Sequence, residues 1–347
     1  MSGSLLVHKP GMLASVQDLG REGLRQLGIC PGGALDTLAL RLANRLVGNP
    51  QGAAGLELTM GNAELRFESD TRIAYLGSDF DARLDDQPLH PGWSLPVRAG
   101  QRLRFGGANR EGLAMGAAGL RTWLAVAGGI DVLPMMGSRS TDLKAGFGGL
   151  EGRALRKGDR LPLGSSPLTE AQRTRRAFGL RGPDRWRDEG ADAPVAPASD
   201  DGATVLRVMA GPEAHQFTHE SRTAFHAAAW RITPQSNRMG SRLDGPALQR
   251  EAAGDMLSAG VVPGTVQVPP SGQPIILMGD AQTTGGYPRI AVVIRADLWK
   301  LAQAPLGGLL RLVEVDAAAA LDAWQAQKRY LASVDQGLAA MGWPSQN

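Results

Sequence analysis

Cysteine is nearly absent: Cys30 is the only one among 347 residues. One chain can therefore form no internal disulfide and no cysteine-based metal cage, and nothing in its cysteine usage points to an oxidising compartment. Aromatic residues make up only 5% of the chain, and the longest basic block is the Arg-Thr-Arg-Arg that ends at Arg176. Nucleic-acid surfaces concentrate Lys and Arg in a stripe with interleaved aromatics, so a formal charge of +3 without such a stripe argues against a nucleic-acid partner. No apolar run approaches the roughly 20 residues that span a bilayer, which argues against a membrane role. The N-terminal Met-Ser-Gly-Ser-Leu-Leu-Val-His lacks the charged start and apolar middle of a secretory signal and reads as a strand. The expected setting is the cytoplasm.

Several catalytic signatures are missing as well. There is no G-x-x-x-x-G-K-[ST] phosphate loop, the Gly-Phe-Gly-Gly-Leu-Glu at Gly146 misses G-x-G-x-x-G in its last residue, and G-x-S-x-G does not occur. His215 and His219 stand four apart, a spacing that could put both on one helix face as metal ligands. Neither the Glu of a zinc protease nor a third ligand accompanies them, so they read as surface or capping histidines and no metal is expected.

What is present is a globular composition, 43% hydrophobic and 20% charged, on a chain longer than one core usually serves. Most of it divides into short strands cut by Gly and Pro, which favours a mainly β architecture of barrels or sandwiches over a doubly wound sheet. In residues 56–69 the Gly61-Asn62 pair sits between two alternating runs and predicts a hairpin turn. Asp36 predicts a capped helix carrying Leu38, Leu42 and Leu46, stopped by Gly48 and Pro50. Asp316 predicts a second, C-terminal helix that packs through Leu321, Trp324 and Leu331. Residues 163–203 shift to Pro, Ala, Asp and Arg with little periodicity. The expected division is a β-rich lobe over 1–162, an irregular linker over 163–203, and a second lobe with the C-terminal helix over 204–347.

Four polar clusters are candidates for chemistry. Gln17, Asp18 and Arg21 lie between a strand-like run and glycines; either they face a ligand, or an Asp–Arg pair pins the loop. Arg139, Ser140, Thr141 and Asp142 precede a glycine-rich stretch whose N–H groups, at Gly148 and Gly149, could turn toward an anion or a carbonyl oxygen; a purely structural loop is the other reading. Arg238 and Arg242 flank Gly240, and two guanidinium groups so close need a carboxylate or an anionic ligand. Finally Gln267, Asp280, Gln282, Thr283, Thr284 and Tyr287 gather around the Gly285–Gly286 pair. Amide, hydroxyl and carboxylate groups beside glycines suit a small neutral amide or lactam, whose C=O needs donors and whose N–H needs an acceptor. A barrel rim that satisfies its own polar groups is the bland alternative.

Taken in order, SVQDLGREG, GGALD, RLANRLVGN, GSRSTD, FGGLEGRALRKGD, NRMGSRLDGP, GTVQVPPSGQPI and DAQTTGGYP resemble the allophanate-hydrolase-subunit-2-like family. That family includes C-type subunits of 5-oxoprolinase and part of the carboxyltransferase domain of urea carboxylase. The resemblance spans nearly the whole chain. It implies a cyclophilin-like β-barrel and a partner of the allophanate-hydrolase-subunit-1 kind, the B type of 5-oxoprolinase, that completes the site, together with an A-type partner. The implied reaction opens 5-oxo-L-proline to L-glutamate with ATP hydrolysis, ATP and its Mg being shared with the partner. In that scheme Arg139, Arg238 and Arg242 are donors, and Asp280 or Asp142 is the acid–base group. Gln17, Asp18, Arg21, Thr141, Gln267, Gln282, Thr283, Thr284 and Tyr287 frame the substrate, while Gly148, Gly149, Gly285 and Gly286 lie against the cofactor. Two alternatives follow from other relatives: carboxyl transfer from a separately carried biotin to urea or a related amide, and a regulatory module that antagonises a kinase inhibitor of the partner type. The chain departs from the family pattern at Ala281, where Arg is common, and at Asn237, Ser241 and Asp244, where Asp, Tyr and Glu are frequent.

Overall fold

The computed structural model describes residues 3–107, 119–180, 202–252, 254 and 256–344. It is mainly β and divides into two compact units. Met1–Arg21, Gly32–Gly190 and Lys328–Asn347 form the first, and Glu22–Pro31 with Ala191–Gln327 the second. Among the described residues, no helix is long and apolar enough to cross a membrane.

The first unit is built from two six-stranded antiparallel sheets that share one core. One sheet runs Arg160–Pro162, Ser4–Pro10, Gly61–Phe67, Arg102–Gly107, Arg83–Leu84 and Gln87–Pro88. The other runs Phe178–Gly179, Trp93–Val97, Thr71–Gly77, Arg121–Val126, Gly55–Thr59 and Leu13–Gln17. Gly61–Phe67 alternates as a half-buried strand must, sending Ala63, Leu65 and Phe67 inward. Thr71–Gly77 and Arg121–Val126 are buried almost throughout, because the helix Thr37–Leu46 covers their second face. That helix is capped as expected, Asp36 Oδ1 accepting from Ala39 N at 2.8 Å, and it buries Leu38, Leu42 and Leu46.

The Gly61-Asn62 expectation is corrected. The pair is no hairpin: Gly55–Thr59 and Gly61–Phe67 belong to different sheets. Met60, Gly61 and Asn62 all have φ near +60°, so the chain turns a corner between layers, and a Cβ on Gly61 would strike the Gly106 carbonyl.

Part of the segment predicted as a linker over 163–203 is ordered structure of the first unit; residues 181–201 lie outside the described residues. The ordering agent is Arg72, fully buried, whose guanidinium donates to Ser94 Oγ (2.6 Å) and to the carbonyls of Gln172, Arg173, Arg175 and Arg176. It also lies 4.9 Å from the Phe178 ring and 5.1 Å from the Trp343 ring. Burial, with Arg175 adding repulsion, pushes the Arg72 guanidinium down to about 10. The same clasp explains why the C-terminus belongs to the first unit: Trp343 Nε1 donates to Arg45 O and Arg45 pairs with Asp335 at 2.7 Å.

The second unit is a closed seven-stranded barrel in the order Thr204–Ala210, Arg289–Val293, Thr265–Gln267, Ile275–Leu277, Gly240–Asp244, Trp230–Ile232 and Leu309–Glu314. Closure is the parallel pairing of Thr204–Ala210 with Leu309–Glu314; the other pairings are antiparallel. Leu206, Val208, Trp230, Val266, Ile276, Leu310 and Leu312 are buried. A closed barrel leaves no unpaired edge among its strands. The helix Ala317–Ala340 follows and crosses the division at Lys328. Asp316 caps it by accepting from Ala319 N. Leu331 packs as predicted, but Leu321 is 54% exposed, and Ala323, Ala326 and Leu338 take the rest of the buried face.

Candidate functional site

In the first unit, the segment 137–152 folds back onto the end of strand Leu13–Gln17, and Asp18 holds it there. The Asp18 carboxylate accepts from Gly20 N (2.8 Å), Ser138 Oγ (2.6 Å), Ser140 Oγ (2.5 Å) and Arg139 N (2.6 Å). Its own N–H donates to Ser140 Oγ. Three of these donors meet Oδ1 and one meets Oδ2, so both oxygens are spent on holding the segment and Asp18 is a clasp. Thr141 is equally committed, its N–H and Oγ1 both donating to Val16 O at 3.0 Å. Asp142 makes a turn, taking Lys144 N and Ala145 N on Oδ1. Arg139 sends its guanidinium to Val132 O and to Asp131 at 3.0 Å.

The N–H groups of the expected anion cradle are already bonded within the segment. Gly146 N donates to Asp142 O, Gly148 N to Met135 Sδ, Gly149 N to Arg139 O and Gly152 N to Gly148 O. Gly148 and Gly149 have φ of +70° and +54°. A Cβ on Gly148 would strike Ser140 O, and one on Gly149 would strike Thr141 Oγ1. These glycines are there for close packing on Ser140–Thr141, not to present N–H groups to a phosphate.

Two side chains in this cluster are left unsatisfied. Arg21, 2% exposed, does not pair with Asp18. Nη2 donates to Ser140 O at 2.5 Å and the guanidinium lies 4.5 Å from the Phe147 ring centroid, but Nε and Nη1 have no hydrogen-bond partner among the described residues. Gln17, wholly buried, gives Nε2 to Ser15 Oγ (2.9 Å) and to Thr141 O (3.2 Å). Because Thr141 O is an acceptor, the amide orientation is fixed, and it is Oε1 that lacks a partner among the described residues. The two groups stem from one short segment and grip the adjacent carbonyls of Ser140 and Thr141. Leaving a buried acceptor or donor unmade costs about 1–3 kcal/mol, more when charged.

In the second unit, the polar groups mostly satisfy one another. Arg238 and Asp280 form a buried two-pronged pair, Nε to Oδ2 at 2.8 Å and Nη2 to Oδ1 at 2.9 Å. Backbone bonds from Asp280 N to Arg238 O and from Met278 N to Met239 O tie the same two turns. Arg242 does not join Arg238, because it projects outward from strand Gly240–Asp244 and is exposed. Gln267 is buried, donates to Tyr287 O at 3.2 Å, and occupies the space that a Cβ on Gly285 would need. Thr283 is buried, whereas Gln282, Thr284 and Tyr287 are exposed. Gly286 has only ordinary clearance, to Met256 O and Ser258 Oγ. Ala281, at the position where the family commonly carries Arg, packs with Val261 and Leu277 in a small apolar cluster. The position is therefore a hydrophobic socket here, not a polar site lacking its cation.

The helix-face pairing of His215 and His219 does not form: His215 lies in the 3-10 turn Ala214–Gln216 and His219 begins the helix His219–Ala227. Sequence reasoning missed the half-buried pair Glu213–Arg289 (2.6 Å), whose arginine also donates to Gly260 O and so fixes the strand paired with Thr284–Gly285. The Arg289 hydrogen bonds hold the Glu213 carboxyl below the usual range, against the opposing effect of burial. No spacing in the sequence signals that pair.

Comparison with known proteins adds a consistent result. The family model described as carboxyltransferase domain, subdomain A and B, matches residues 27–314. A protein from Escherichia coli, named as the C-type subunit of 5-oxoprolinase, is 47% identical over 94% of this chain and 96% of its own length. One of the same name from Haemophilus influenzae is 39% identical over 87% and 88%. The crystal structure of Kluyveromyces lactis urea carboxylase superposes with a TM-score of 0.80 at 28% identity, covering 96% of this chain but only 29% of that one.

Proposed function

The chain belongs to the family of the carboxyltransferase domain, subdomains A and B, and from that premise we propose that it is the C-type subunit of a cytoplasmic 5-oxoprolinase complex. The reaction opens 5-oxo-L-proline to L-glutamate with ATP hydrolysis. Near-full-length similarity to two proteins named for that subunit supports the reading. The partners are a B-type protein, related to the first subunit of allophanate hydrolase, and an A-type protein.

The observation that carries the site is the unsatisfied set, Gln17 Oε1 with Arg21 Nε and Nη1. A five-membered lactam is held in the cis-amide form, so its C=O and N–H lie along one edge. An edge of that kind can place its oxygen on the guanidinium N–H groups and its nitrogen on the glutamine carbonyl at once. As water adds to the carbonyl carbon, negative charge grows on the oxygen, and a guanidinium in a water-poor setting stabilises it more than it stabilises the ground state. Both groups are buried beneath Ser140–Gly149, so substrate entry requires that segment to lift. Asp142 and Asp280 are committed elsewhere, and we place the water-activating base on the B-type partner. The bonded N–H groups of Gly146–Gly152 do not form a phosphate cradle, so ATP is assigned to the partner or to a site completed by it.

The superposition on urea carboxylase favours one second reading: carboxyl transfer from a biotin carried on another protein to urea, which also presents C=O and N–H on one edge. A single assay separates the two. The chain is mixed with its B-type and A-type partners and supplied with 5-oxo-L-proline or urea, and ADP and glutamate are followed with and without a biotinylated carrier. Glutamate release without biotin is expected. Carrier-dependent turnover of urea alone would replace the first reading with the second.

A further inference from the structure

The helix His219–Ala227 carries an unusual face. His219, Arg222, Thr223 and His226 recur at i, i+3, i+4 and i+7, the spacing at which a packed helix ordinarily places its apolar stripe. All four instead border a half-open groove of about 310 Å³ between this helix and the barrel wall. The wall side carries the cross-strand partners Ala210 and Ala291, two small apolar side chains on one face of the barrel wall.

The polar groups are unevenly engaged. His226 is fixed, with Nδ1 3.0 Å from Leu312 O and Nε2 3.4 Å from the Glu314 carboxylate. Arg222 is exposed and makes no side-chain hydrogen bond or ion pair among the described residues, and a guanidinium cannot shed its charge. We propose that this groove binds a small carboxylic acid, with Arg222 taking the carboxylate and the carbon body lying on Ala210 and Ala291. A groove of this volume is at the small end for ligand sites and suits a compact molecule. Glu314 on the rim disfavours a polyanion such as phosphate, and the apolar wall has no use for a ligand without carbon. The groove shares no residue with the proposed lactam edge and stands whether or not that reading does.

The test is calorimetric titration of the full chain, carried out in an Arg21→Gln background so that binding at the lactam edge does not contribute. The probes are 5-oxo-L-proline, L-glutamate and inorganic phosphate. Saturable binding of at least one of the two acids is expected, weakened about tenfold or more by Arg222→Gln, as befits loss of a charge-assisted bond. Glu314→Gln then identifies the acid: it tightens 5-oxo-L-proline by removing a repelling carboxylate, and weakens L-glutamate, whose ammonium faces Glu314. Absence of binding by both acids, binding indifferent to Arg222→Gln, or preference for phosphate would each overturn the proposal. Absence of glutamate release by the natural chain in the assembled complex, with groove binding intact, would instead count against the reaction reading alone.

Discussion

Two polar, glycine-hinged turns in this protein have nearly the same composition and opposite states. The turn around Asp280 is saturated: the carboxylate takes two bonds from Arg238, the backbones of both turns bond to each other, and Gln267 ties down Tyr287. The segment from Gly137 to Gly152 closes on Asp18 just as thoroughly, yet leaves Gln17 Oε1 and two Arg21 nitrogens inside with no partner among the described residues. Saturation is what a fold needs, and a buried remainder is what a ligand can use. The difference predicts that substitutions in the two places fail in different ways.

The largest effect is expected at the saturated pair. Asp280→Ala strands Arg238 in the interior and should cost about 3–5 kcal/mol of stability, read by urea denaturation. A double replacement of Arg238 and Asp280 by Met and Leu should recover most of it, since it removes both charges. If Asp280→Ala kept full stability but abolished turnover, Asp280 would belong to the chemistry and the comparison would collapse.

Arg21→Gln should do the reverse. Removing a donor that meets developing charge typically lowers turnover by about 100-fold or more, while taking an underpaired cation out of the interior leaves the melting temperature unchanged or higher. Steady-state glutamate release by the assembled complex, alongside a melting curve, checks both halves. A destabilised but active Arg21→Gln protein would make Arg21 another clasp.

Gly149→Ala comes next. With φ of +54° and Thr141 Oγ1 in the way of a Cβ, the substitution should cost about 1–3 kcal/mol through strain and displacement of Thr141. A companion Thr141→Ala change should return part of that loss.

The smallest effect is a pH dependence. Glu213 has a folded pKa below its ordinary value because Arg289 donates to it. The stability this confers is complete above the unfolded pKa of about 4.3 and disappears as pH falls through the lower folded value. The stability difference between the natural protein and Glu213→Gln should therefore shrink as pH is lowered through that range. A difference that stayed constant would mean that the pair contributes packing rather than charge.

Much of the fold was legible in the residues themselves. Asp36 and Asp316 announced both helix starts, and alternation in Gly61–Phe67 marked its inner face. The corner at Gly61 was not legible, because a run of left-handed residues serves a hairpin and a layer change equally well. Nor was the ordering of 170–179, which depends on a single arginine about a hundred residues earlier that donates to a run of backbone carbonyls. In the candidate site, the residue types were evident and their states were not. Gln17, Asp18 and Arg21 are neighbours of similar polarity, yet Asp18 is bonded through both oxygens while the other two keep atoms without a partner among the described residues.

The sequence by itself determined which elements form, because capping, alternation and turn chemistry act over a few residues and repeat the same physics wherever they occur. It also determined the family, through motifs whose order survives substitution at any one of them. Only the tertiary structure decided which polar groups are left over. Whether a donor is satisfied depends on acceptors brought to within about 3 Å from residues far along the chain, and no local pattern records a bond that is not made.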